Sequence, residues 1–136
     1  MYRSMRSALV AMSTAAGVLL LAGCAQAGYS IFDREQTLDD TLPREIVEAI
    51  DLSDFDLSTS RLSASYEDVD YYLLKPSGGN RAPCIAMIGD AGPIVACGGS
   101  ELTVGEDPRV QLVPEPAVEG HGWVAISDNL RVRHRD

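Results

Sequence analysis

The chain has 136 residues, with 11 Lys and Arg against 20 Asp and Glu and a formal net charge of −9 at pH 7. That length predicts one small domain with a thin core. So acidic a chain is repelled by nucleic acid and by anionic lipid head groups, which argues against a polyanion partner.

Residues 1–24 have the layout of an export signal. Arg3 and Arg6 supply a positive start, and Ala8 to Leu21 is uncharged and mostly apolar, closing on Val18-Leu19-Leu20-Leu21. The run is shorter than the roughly 20 apolar residues a membrane span needs. Its end, Leu21-Ala22-Gly23-Cys24, resembles the lipobox of bacterial lipoproteins. The resemblance implies a signal peptide over 1–23, a diacylglyceryl group on the Cys24 sulfur and cleavage before Cys24. The competing readings are an ordinary secretory signal cut near Ala25-Gln26-Ala27 and an uncleaved anchor. Nine basic and twenty acidic residues follow residue 23, a balance of −11. Two acyl chains at about 0.8 kcal/mol per buried CH₂ make a stable anchor. The expected address is the cell membrane, lipid-anchored on the extracytoplasmic face, with the membrane itself as partner through Cys24.

Residues 24–41 read as a lipidated tether of small, acidic and polar residues, in which Ile31 and Phe32 are able to dock on the domain or on lipid. The folded domain is expected over 42–136. Its first element, LPREIVEAI at 42–50, reads as a short helix. Pro43 suits the first turn, where a missing N–H costs nothing, and Glu45 favours the positive helix end. Leu42, Ile46 and Ile50 recur every four residues with Val47 beside them. Nine residues cannot hold a helix alone, so this stripe must cover a sheet. Residues 51–60 read as a polar connector with Leu52, Phe55 and Leu57 tucked inward.

From Arg61 the pattern turns to strands. Leu62, Ala64 and Tyr66 alternate with serines, and Val69 to Leu74 runs to a turn at Pro76-Ser77-Gly78-Gly79-Asn80. Pro83 to Ile88 and Pro93 to Cys97 flank Gly89-Asp90-Ala91-Gly92. Shorter strands are expected at Leu102 to Val104, Val110 to Val113, Trp123 to Ile126 and Leu130 to Val132. The fold class predicted is mainly β (α+β). It would be a small antiparallel sheet or sandwich of about five to seven short strands with one short N-terminal helix at about 42–50.

Three cysteines is an odd number, and lipid on Cys24 would leave Cys84 and Cys97 as a pair. A two-residue loop at Asp90-Ala91 sets 89 opposite 92, and then 88 opposite 93, 86 opposite 95 and 84 opposite 97. If 89/92 is the closing hydrogen-bonded pair, 84/97 is a non-hydrogen-bonded pair with Cα atoms ~4.5 Å apart, within disulfide range. Pro93 then falls where no ladder N–H is needed. Asp-Ala is not a favoured turn pair, and a bulge at Gly89 or Gly92 would change the count. Closing a loop of about 14 residues would stabilise the fold by ~3 kcal/mol. The rival, a redox-active pair, is disfavoured by the wide C-x₁₂-C spacing and the lack of a cationic neighbour.

The remaining candidates are weak. His121 sits between two glycines and reads as a loop residue. His134 lies in the basic tail Arg131-Val132-Arg133-His134-Arg135, read first as a solvated, fraying terminus. Pairing with the domain's own acids or with lipid phosphates is the alternative. Asp51, Asp54 and Asp56 lack calcium-loop spacing, and Ser100 is not in a nucleophile elbow. Tyr71, Tyr72 and Trp123 are expected in the core. No catalytic residue, metal site or cofactor is expected. The function predicted is a non-enzymatic binding or interaction module for an unknown protein or envelope partner, with no nucleic acid. The alternatives are a small envelope hydrolase with an unrecognised site and an accessory to an envelope sensor. Residues 60–133 resemble uncharacterised actinobacterial membrane-tethered proteins, in which a two-cysteine hairpin precedes a terminal Gly-Trp segment, here Gly122-Trp123. That resemblance implies no activity.

Overall fold

A computed structural model describes residues 28–78, 82–98 and 101–135. The signal segment, Cys24 and Ser100 lie outside the described residues. In chain order come 3₁₀ turns at Ser30–Asp33 and Leu38–Asp40, then α1 (Arg44–Ala49), β1 (Phe55–Tyr66) and β2 (Val69–Pro76). They are followed by β3 (Cys84–Gly89), β4 (Gly92–Ala96), β5 (Thr103–Val104), β6 (Arg109–Leu112), β7 (Val124–Ala125) and β8 (Leu130–Arg133). The strands form two antiparallel sheets, ordered β1-β2-β3-β4 and β5-β6-β8-β7. The described residues are therefore mainly β with one short helix. Eight strands appear among the described residues where about five to seven were expected; the strands expected at Leu102 to Val104 and Trp123 to Ile126 are present as the two-residue pairings β5 and β7.

The first sheet is buried on both faces, and β2 shows how. Tyr71 and Leu73 point to one side with Ile85, where they meet Val110, Leu112, Leu130 and Val132 of the second sheet. Tyr72 and Leu74 point to the other side with Cys84 and Ala86, where Leu42 and Leu52 complete a second core and Val47 and Ile50 of the helical segment pack on it. Successive side chains alternate across a strand, so four consecutive apolar residues fill two cores. Burial holds the Tyr71 and Tyr72 phenols above their ordinary range.

Two boundaries differ from the sequence reading. β1 begins at Phe55, inside the stretch read as a connector. Its register slips between Asp56↔Lys75 and Arg61↔Leu73, a broad irregularity that absorbs the polar residues. Thr59 accepts the Lys75 N–H at 2.8 Å there, and Asp56 accepts the Ser58 N–H at 3.1 Å. A bulge built from Ser, Thr and Asp looks like a loop in sequence, because those residues satisfy backbone groups locally.

The stretch read as a tether is also folded from Gly28 onward. Tyr29, Ile31 and Phe32 pack on the main core. The Gly28 carbonyl accepts from the Glu115 N–H at 2.8 Å and from Asn129 Nδ2 at 3.1 Å. Asp40, 1 % exposed, locks the segment onto β1. Its carboxylate accepts from Arg34 at 2.5 and 2.7 Å, from the Thr37 N–H at 2.8 Å and from the Leu62 N–H at 2.8 Å. Ile31 and Phe32 thus dock on the domain.

The β3–β4 hairpin has the register predicted: Gly89↔Gly92, Ile88↔Pro93 and Ala86↔Val95. The left-handed step falls at Gly92, with φ +93°, and not at Asp90 or Ala91. That placement explains why an Asp-Ala pair serves in the turn: the glycine after it takes the conformation L-residues resist.

Candidate functional site

β6 and β8 read Arg-Val-Gln-Leu and Leu-Arg-Val-Arg. Val110, Leu112, Leu130 and Val132 face the core, so Arg109, Gln111, Arg131 and Arg133 stand on the outer face. The strands pair with Arg109 opposite Arg133 and Gln111 opposite Arg131. Arg131 donates to Gln111 Oε1 at 2.8 Å and to the Val118 carbonyl at 3.1 Å. An acidic chain has therefore collected three arginines on one sheet face.

A tight hairpin closes over one end of that face. Gly120 and Trp123 exchange backbone hydrogen bonds at 3.1 and 3.0 Å, with His121 and Gly122 at the turn with φ +53° and +80°. Two successive positive φ values are the mark of a type I′ turn. The turn swings Trp123 onto the arginines, whose guanidinium carbons lie 5.0 Å (Arg131) and 5.2 Å (Arg133) from the ring centroid. Both are within cation–π range. A Cβ at Gly122 would lie 3.2 Å from Arg133 Cδ, so the glycine also allows a close approach.

The chain leaves β8 through His134 and Arg135. His134 Nε2 lies 3.2 Å from Glu67 Oε2, and Nδ1 lies 3.5 Å from Asp107 Oδ1. The Arg135 N–H donates to Asp107 Oδ1 at 3.3 Å, and its guanidinium is 3.6 Å from Glu106. Glu67 itself sits in the β1–β2 turn, where it and Asp68 both have positive φ. These parts enclose a cleft of about 360 Å³, lined by Arg109, Arg133 and Arg135, by His121 and His134, and by one acid, Glu106.

The structure sorts the candidates accordingly. Cys84 and Cys97 are joined as a disulfide with Cα atoms 4.4 Å apart, Cys84 buried in the second core. Cys24 lies outside the described residues. His121 is an exposed turn residue, as read, yet it shares a cleft with His134. The tail is not a fraying terminus through residue 133: Arg131 and Arg133 belong to an inner strand, and the next two residues are held by the domain's own acids. Tyr71 and Tyr72 are core residues, whereas Trp123 is only half-buried and lies outside both cores. Asp51 and Asp56 cap local turns through Ser53 and Ser58. Among the described residues, no three His, Cys, Asp or Glu side chains gather as a metal site. Arg109 went unremarked in the sequence and Arg133 was read only as part of the basic tail, although alternation of Arg with Val and Leu in two segments marks one basic face.

No family model, no curated protein and no solved structure matches the chain.

Proposed function

We propose that the chain is an extracytoplasmic lipoprotein, anchored through lipid on Cys24, whose folded part is a non-enzymatic binding module held close to the membrane. The observation that carries this reading is Leu21-Ala22-Gly23-Cys24 at the end of an apolar run behind Arg3 and Arg6. Two further facts support it. Cys84 and Cys97 are used up in a disulfide, a bond that persists in oxidising compartments, so the odd cysteine is the one in the lipobox-like sequence. Gly28 is already hydrogen-bonded into the domain, so Cys24 and the folded body are separated by ~14 Å at full extension. A module this close to the bilayer meets partners at the membrane surface. Among the described residues no helix is long and apolar enough to cross a membrane.

The test is mass spectrometry of the chain expressed in a lipoprotein-processing bacterium. The expected product starts at Cys24, carries the diacylglyceryl mass and sediments with membranes. Cys24→Ser is expected to accumulate as the longer, unlipidated precursor. An unmodified N-terminus at another residue would remove the proposed address. Cross-linking on intact cells, followed by capture of the chain, would then identify the partner.

A further inference from the structure

We infer that the cleft walled by Arg109 and Arg133 is a binding site for a phosphate group, in the charge state of a phosphomonoester dianion. The inference stands on the cleft alone and does not depend on lipid at Cys24.

Arg109 and Arg133 are direct cross-strand partners on the outer face. Like charges in that position repel and destabilise the sheet. A protein with 20 acidic residues has ample means to neutralise them. Yet among the described residues no carboxylate lies within 4 Å of either guanidinium, while Arg34, Arg44 and Arg135 each have one. The acids nearby have other partners: Glu106, which also lines the cleft, lies 3.6 Å from Arg135, and Glu67 and Asp107 flank His134. The pair therefore faces one cleft with no carboxylate partner of its own among the described residues.

The surroundings hold Arg133 in place. The Trp123 ring stacks on Arg133 at 5.2 Å, and Gly122 lets the turn approach the Arg133 stem. A planar guanidinium fixed by stacking keeps its N–H fork available for a bidentate acceptor. With the Arg109 fork opposite it, the site offers several charge-assisted donors, the arrangement suited to phosphate oxygens. A phosphomonoester carries about −1.5 to −2 charges at pH 7, which matches two free arginines. A carboxylate would leave one of them uncompensated. The cleft, about 360 Å³, admits the group with a small substituent.

The chain's single tryptophan is Trp123, so its fluorescence reports on the site without a label. The full chain in neutral detergent would be titrated with inorganic phosphate, with glycerol phosphate and with mixed micelles containing phosphatidate. Chloride at matched ionic strength and micelles of neutral lipid serve as references. A saturable change with the soluble phosphates supports a free ligand; a change confined to phosphatidate supports a lipid head group. Arg109→Gln and Arg133→Gln are each expected to weaken the response about tenfold or more, the loss of a charge-assisted contact. As a check on folding, either variant is expected to raise Tm without phosphate, because repulsion is relieved, and to lose the phosphate-dependent rise in Tm. Phosphate and phosphatidate responses no greater than those of the references would overturn the proposal. So would variants that respond like the parent chain.

Discussion

The carboxylate of Asp40 holds both prongs of the Arg34 guanidinium, at 2.5 and 2.7 Å, while accepting the Leu62 N–H of β1 at 2.8 Å. One buried side chain thus joins the N-terminal segment to the edge of the first sheet. Removing it frees donors at Thr37 and Leu62 that no other side chain reaches. Asp40→Ala is expected to lower stability by about 2–3 kcal/mol, the cost of leaving buried donors unmade. Urea unfolding at pH 7 measures this as a lower midpoint with unchanged slope.

The same residue sets an acid limit. Hydrogen bonds from Arg34 hold the Asp40 carboxyl well below the usual carboxylate range; burial opposes them, and backbone N–H groups of Thr37 and Leu62 reinforce them. Because the folded value is depressed, the unfolded chain binds the proton more readily. The contribution is complete above the ordinary aspartate range, near pH 4, and is lost as pH falls toward the folded value. Asp40→Asn is expected to be less stable than the parent at pH 7, with the gap closing steadily between about pH 4 and pH 2. A gap independent of pH would show that charge is not the cause.

Phe32 separates a docked segment from a tether. Its ring packs on the main core, with Lys75 Nζ 4.7 Å from its centroid. Phe32→Ala is expected to cost about 2 kcal/mol or more, in the lower part of the range for aromatic truncation because the ring is only partly buried. It should also open residues 28–41 to limited proteolysis. A free tether would show neither effect.

The Cys84–Cys97 bond closes the β3–β4 hairpin. Replacing both cysteines by alanine is expected to cost about 3 kcal/mol, a large share of the ~5–15 kcal/mol typical of a domain. Thermal unfolding with and without reductant gives the comparison: reductant should lower Tm in the parent chain and leave the double variant unmoved.

At Gly92 the backbone alone is at stake. Its φ is +93°, and a Cβ there would meet nothing within 4 Å. Gly92→Ala is therefore expected to destabilise by about 1–2 kcal/mol through left-handed strain without any clash. Gly92→Asn should cost less, since asparagine tolerates that region better. Equal losses in the two variants would point to the side chain instead.

Local rules sufficed where partners are close in sequence. The β3–β4 register was legible because a two-residue loop, Pro93 and two cysteines all demand the same pairing. Of the stripe read as Leu42, Ile46 and Ile50 with Val47 beside them, Leu42, Val47 and Ile50 reach the second core and Ile46 is not among its residues. Burial of Tyr71 to Leu74 on both faces was not foreseeable, because which surface covers each face depends on β6 and β8, far along the chain.

The sequence by itself determined the mainly β character and the cysteine hairpin, because each rests on contacts or chemistry within a few residues. Only the tertiary structure decided that the chain is folded from Gly28 and that Arg109 faces Arg133. Asp40 needs Leu62 from another element to explain its burial, and the arginine pair exists only once β6 and β8, which are not consecutive in the chain, come into register. Each segment alternates polar with apolar residues, but which segments pair, and in what register, is selected by the packed core.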